Sequence, residues 1–99
     1  MTQNLEKQLF FSIITVTLNN LEGLRRTHES LCAQTSQNFE WIVVEGNSAD
    51  DTAAFMQSTT AQWSSEPDNG NYDAMNKGIT RASGQYLLIL NAGDTLATQ

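Results

Sequence analysis

The sequence predicts an α/β fold on a mostly parallel sheet, and three observations carry that expectation. Charge-free apolar runs recur at 10–18 (FFSIITVTL), 41–44 (WIVV) and 86–90 (YLLIL), as parallel strands covered on both faces require. Between them, apolar residues return every three or four positions, the spacing with which a helix lays one stripe on a sheet. The intervening loops are rich in Gly, Asn, Ser and Asp, so strands and helices alternate as they do in right-handed crossovers.

Residues 1–9 (MTQNLEKQL) read as a polar tail and 10–99 as the domain. Phe10–Leu18 is the first strand. Asn19 and Asn20 are helix N-cap types, and Leu21, Leu24, His28 and Leu31 form a helical stripe expected to end near Thr35. Trp41–Val44 is a second strand, closed by Glu45 and the loop GNSADD. A helix follows from about Asp51 and Thr52 through Met56, and Ala61–Ser65 is a short third strand. SEPDNGN, at 65–71, holds the single proline and reads as an exposed loop. Tyr72, Met75, Ile79 and Ala82 repeat the helical spacing, with Gly78 a weak point inside that helix and Gly84 its C-cap, before Tyr86–Leu90 forms another strand.

Ninety-nine residues make one small domain, which buries about 65% of the surface its extended chain exposes. A net charge of −6 has the wrong sign for holding nucleic acid through its phosphates. No run approaches the about 18 apolar residues of a membrane span, and the polar start has no signal-peptide pattern, so a cytoplasmic protein is expected. Cys32, the single cysteine, reads as a small packed residue.

In an open parallel sheet, ligands bind beyond the carboxyl ends of the strands. Those ends deliver Thr17, Leu18 and Asn19, then Glu45, Gly46 and Asn47, then Asn91, Ala92, Gly93 and Asp94 to one edge. No G-x-G-x-x-G or G-x-x-x-x-G-K-[ST] occurs, which disfavours a dinucleotide oxidoreductase or a P-loop NTPase. An anionic ligand near Glu45, Asp68 and Asp94 would be repelled unless a divalent cation stood between, so a metal-bridged phosphate is expected.

The blocks FSIITVTLNN, WIVVEGNSADDT and SEPDNGNYDAMNKGITRASGQYLLILNAGDTL resemble the successive blocks of family 2 glycosyltransferases with the GT-A fold, especially bacterial enzymes of colanic-acid, capsule and exopolysaccharide assembly. The likeness runs from about Phe11 to Leu96 and covers the front, nucleotide-sugar-binding half of such a domain. It implies a truncated, Rossmann-like sheet, a UDP- or GDP-sugar donor, and Mg²⁺ or Mn²⁺ as cofactor.

Position by position, the resemblance implies that Thr17 and Asn19 contact the nucleotide and that Glu45 stands where a carboxylate accepts a hydrogen bond from the base. Ser48 and Asp50 match the following S-x-D, which reads equally as turn and cap chemistry. Asp68 lies in the loop that approaches the nucleotide-sugar, and Asp73, Asn76 and Lys77 match the D-A-x-N-K-G block, with Lys77 offering charge to the diphosphate. At the metal-binding D-x-D stand Asn91, Ala92 and Gly93, followed by Asp94, so Asn91 and Asp94 are the expected cation ligands. No arginine in the matched blocks offsets the diphosphate. His28, Trp41 and Trp63 read as packing residues. No catalytic base is assigned, because the resemblance places it in a second half beyond this chain.

The expectation is therefore the donor-binding half of an inverting glycosyltransferase, incomplete for transfer on its own. The alternative is a non-catalytic remnant or fragment that binds a nucleotide or another chain. Strands lacking their later covering elements also predict self-association.

Overall fold

The computed structural model describes residues 10–35, 37–65, 67 and 70–96, without the side chains of 71 and 72. The expected tail at 1–9 and the Asp68 site thus lie outside the described residues, as does the side chain of Tyr72 in the helical stripe. The strands are β1 (Phe11–Thr17), β2 (Phe39–Glu45), β3 (Gln62–Ser65) and β4 (Tyr86–Ile89), and the helices are α1 (Leu21–Cys32), α2 (Thr52–Gln57) and α3 (Asn71–Arg81). All strand pairs are parallel, in the order β3-β2-β1-β4. The predicted alternation and α/β class are both present.

Central strands need cover on both faces, and β1 and β2 have it. Ile13, Trp41 and Val43 cluster with Leu24 and Leu31 of α1 and Met56 of α2. On the opposite face Ile14, Ile42 and Val44 are fully buried, and α3 packs over β1 and β2. Gly78 is what permits this packing: a Cβ there would overlap Ile14 Cγ2. The expected weak point is thus a close approach of helix to sheet.

Several expected boundaries shift, each for a local reason. β2 runs from Phe39 to Glu45 because β1 offers a hydrogen-bonding partner along all seven residues, from Phe11↔Phe39 to Thr17↔Glu45. α1 ends at Cys32, where the Ala33 N–H turns back to Glu29 O and Leu31 O. Its buried stripe is Gly23, Leu24, Thr27 and Leu31; His28 lies beside it, stacked on Trp41 at 5.4 Å. α3 stops at Arg81 and Ala82 is its cap. Gly84 is instead required by crowding, since a Cβ there would lie 2.7 Å from Ser12 Oγ and 2.9 Å from Phe10 O.

Below α3, Glu40 gathers the chain. It accepts from Ser12 Oγ at 2.5 Å, Ser83 N at 2.7 Å and Gln62 Nε2 at 3.1 Å, while Gly84 N donates to Ser12 Oγ at 2.7 Å. Burial raises the Glu40 pKa, but the bonds from Ser12, Ser83 and Gln62 outweigh it and hold the carboxyl below its ordinary value. β4 departs from the expectation of a covered strand: it is a sheet edge, and Tyr86, Leu87 and Ile89 are exposed.

Candidate functional site

Strand order brings Thr17, Asn19, Glu45, Asn91 and Asp94 to one edge. β2 and β3 lie on one side of β1 and β4 on the other, so the strand order reverses beside β1, the crevice where ligands of open α/β sheets bind. Register completes the alignment: Thr17 pairs with Glu45, and Glu45 with Ser65. The chain after β4 stays beside β1, with Leu90 N bonded to Ile14 O at 2.9 Å and Ala92 N to Val16 O at 3.2 Å. Thr17, Glu45 and the turn 91–94 therefore stand together at the carboxyl end of the sheet.

Thr17 is buried (3% exposed), and among the described residues its Oγ1 is the buried side-chain oxygen with no hydrogen-bond partner. Leaving such a hydroxyl unsatisfied costs about 1–3 kcal/mol. Leu18 beside it is exposed. Glu45 is buried, and its oxygens accept from Ser65 Oγ at 2.5 Å and from the Ser48 N–H. Its carboxylate thus ties β2 to β3 and to the loop after β2.

That loop is fastened to the end of β1. Asn19, at φ 52°, donates its N–H to Ser48 Oγ at 2.8 Å and accepts from Ala49 N at 2.7 Å through Oδ1. Asn20 caps α1 by accepting from Gly23 N at 3.1 Å. Asp50 accepts from the Thr52 hydroxyl, from Thr52 N at 3.0 Å and from Leu21 N at 3.3 Å. The Thr52 hydroxyl does most to hold the Asp50 carboxyl below its ordinary pKa. Ser48 and Asp50 thus perform turn and cap chemistry.

Residues 91–94 form a β-turn closed by Asp94 N to Asn91 O at 2.9 Å. Gly93 has φ 102°, the positive value that the third position of a type II turn demands. Asn91 N donates to Asp94 Oδ2 at 3.1 Å, and both side chains belong to exposed residues. No group of three or more His, Cys, Asp or Glu that could hold a metal occurs among the described residues. The donor set still fits Mg²⁺ or Mn²⁺ in part, because these ions take oxygen ligands and commonly use one or two protein carboxylates with a substrate's phosphates.

Lys77 pairs with Asp73 at 3.6 Å and donates to Pro67 O at 3.3 Å. Asp68 lies outside the described residues. Three residues at the edge escaped the sequence reading. Ser65 needed the β2–β3 register to reach Glu45. Arg26, outside the matched blocks, places its guanidinium near the turn: a Cβ at Gly93 would be 3.7 Å from Arg26 Nη2. Thr27 had a legible signal, a hydroxyl three residues after Leu24 and four before Leu31.

Comparison with known proteins agrees with this architecture. The profile of "Glycosyl transferase family 2" matches residues 12–99. An "Uncharacterized glycosyltransferase" of Mycobacterium tuberculosis H37Rv is 46% identical over 87 residues, covering 84% of this chain and 33% of its own length. The chain thus spans about a third of the length of the curated relatives it matches. Among solved structures, S. aureus TarS 1-349 in complex with UDP-GlcNAc superposes with TM-score 0.80 at 23% identity, covering 88% of this chain and 27% of its own. The mannosyltransferase PcManGT from Pyrobaculum calidifontis, in complex with GDP-Man and Mn²⁺, superposes with TM-score 0.79 at 19% identity, covering 87% and 28%. At those identities the structures speak for the fold, a GT-A-type α/β sheet. The family match over nearly the whole described domain does the rest: the chain belongs to glycosyl transferase family 2.

Proposed function

We propose that the edge formed by Thr17, Asn19, Glu45 and the turn 91–94 binds a nucleotide-diphospho-sugar, and that this chain is the donor side of an inverting glycosyltransferase of polysaccharide assembly. The observation that carries the reading is Thr17 Oγ1, buried and without a partner among the described residues at the point where the strand order reverses. A nucleotide base or ribose supplies the missing hydrogen bond there. In this reading Thr17 faces the base, and Glu45 and Asn19 hold the two loops that frame it. Lys77 of α3 offers its charge to the diphosphate, and Asp68 contacts the nucleotide-sugar, as the family resemblance implies.

The phosphates then extend toward the turn. Asp94, with the side-chain oxygen of Asn91, would hold a Mg²⁺ or Mn²⁺ ion, which would offset the charge of the diphosphate. Arg26 adds a positive charge near the same turn. The donor is a UDP- or GDP-sugar, as in TarS with UDP-GlcNAc and PcManGT with GDP-Man. The acceptor hydroxyl attacks the anomeric carbon from the face opposite the diphosphate, and the general base belongs to a part of the family domain outside these residues. No described helix is long and apolar enough to cross a membrane, and the reading places the chain in the cytoplasm.

Calorimetric titration with UDP tests the proposal. Mn²⁺ should strengthen binding relative to EDTA, and Asp94→Ala should remove that gain. Equal affinity in EDTA and Mn²⁺, or an Asp94→Ala protein that keeps the full gain, would overturn the cation's place in the reading. Absence of UDP binding by folded protein would overturn the site. The exposed β4 edge favours a second reading, a non-catalytic nucleotide-binding or interaction module; tighter binding of a UDP- or GDP-sugar than of the bare nucleoside diphosphate supports the donor reading over it.

A further inference from the structure

Thr27 stands behind the turn that carries Asp94. It is fully buried on the inner stripe of α1, yet its hydroxyl addresses the turn's backbone. Oγ1 lies 2.7 Å from Asp94 O, 3.4 Å from Asn91 O and 3.0 Å from Gly93 N. A hydroxyl offers one proton and two lone pairs. The shorter contact therefore assigns its proton to Asp94 O, and the Gly93 N–H donates to a lone pair.

Other contacts also hold the turn, but none of them reaches the Asp94 carbonyl. Gly93 N also reaches Gly23 O at 3.0 Å, Asn20 Nδ2 donates to Ala92 O at 3.4 Å, and Leu96 N donates to Ser30 Oγ at 3.2 Å. Thr27 alone among these residues meets the Asp94 carbonyl. The same residue's carboxylate accepts from Asn91 N, so rotation of the Asp94 backbone would carry its oxygens away. Packing by itself would be served by a valine; the hydroxyl serves the turn.

Resting on the reading of turn 91–94 as the diphosphate and cation end of the site, we propose that Thr27 is a positioning residue. Through the backbone of Gly93 and Asp94 it orients the Asp94 carboxylate, and so sets affinity for a nucleoside diphosphate with its cation without taking part in base recognition.

The test compares the parent, Thr27→Val and Thr27→Ser in three measurements: UDP binding with Mn²⁺, UMP binding in EDTA, and hydrogen exchange of the Gly93 and Asp94 amides. UMP keeps the base and ribose but lacks the second phosphate. Thr27→Val should weaken UDP binding in Mn²⁺ about tenfold, as loss of a group supporting a metal ligand does, and speed exchange at both amides. UMP binding should stay within about twofold, and Thr27→Ser should restore both lost properties, since it keeps the hydroxyl whose bonds carry the effect. Unchanged UDP affinity in Thr27→Val, an equal loss for UMP, or no rescue by Thr27→Ser would overturn the proposal. Should the folded parent bind neither nucleotide, the functional reading fails while the latch is still judged by exchange: faster amides in Thr27→Val with rescue by Thr27→Ser sustain it, and unchanged amides overturn it.

Discussion

At the scale of the residue, Thr17 and Glu45 sit side by side in register with opposite bonding states. Glu45 has protein donors on both oxygens, whereas Thr17 Oγ1 has no partner among the described residues. Removal of the Thr17 hydroxyl should therefore separate stability from binding. Thr17→Val replaces an unsatisfied buried hydroxyl by a methyl group of the same shape and should stabilise the fold by about 1 kcal/mol, while UDP affinity falls about three- to tenfold, the value of one hydrogen bond. Urea unfolding and calorimetry on the same samples check both signs. A destabilised variant with normal affinity would mean that Thr17 serves the core alone.

At the scale of the element, α3 and the segment after it are tied to β1 and β2 by one close contact and one polar cluster. Gly78→Ala gains about 1 kcal/mol of helix propensity, but its new methyl would overlap Ile14 Cγ2. Overpacking of that kind costs about 1–3 kcal/mol. A net loss of stability in chemical denaturation is expected, and a gain would show that α3 can move off the sheet. The Glu40 cluster makes a pH prediction. The folded-state pKa of Glu40 is lowered, so its stabilisation is fully present above the unfolded value of about 4.3 and is lost as pH falls through the folded value. Unfolding curves from pH 6 to 3 should show Glu40→Gln losing less stability than the parent on the acid side; parallel acid limbs would remove Glu40 from that role.

For the whole molecule, the sheet is asymmetric. β1 and β2 are covered on both faces, while the β4 edge exposes Tyr86, Leu87 and Ile89, with Ile79 of α3 also exposed. β4 carries no charged residue, and charge is a common guard of such edges. The isolated chain should therefore self-associate at micromolar concentrations despite its net charge of −6. Sedimentation velocity should show the larger species, and Leu87→Lys with Ile89→Lys should return a monomer. A monomeric parent would contradict the prediction.

The strands, the helices and the polar edge were legible in the sequence because each is local. Charge-free β-branched runs, three- and four-residue periodicity, and Asn or Asp at caps act on the backbone within a few residues. Thr17, Glu45, Asn91 and Asp94 could be placed at one edge from chain order alone, because parallel strands present their carboxyl ends to the same side. Which of those groups were already satisfied was decided only in three dimensions. Glu45 finds Ser65 through a strand register, Asn19 finds Ala49 across two loops, and Thr27 reaches Asp94 from another element. Gly78 and Gly84 likewise read as local features and proved to be contacts with Ile14 and Ser12. Backbone preference is a property of neighbours along the chain, whereas hydrogen-bond satisfaction and steric clearance are properties of neighbours in space; only the assembled sheet determines those.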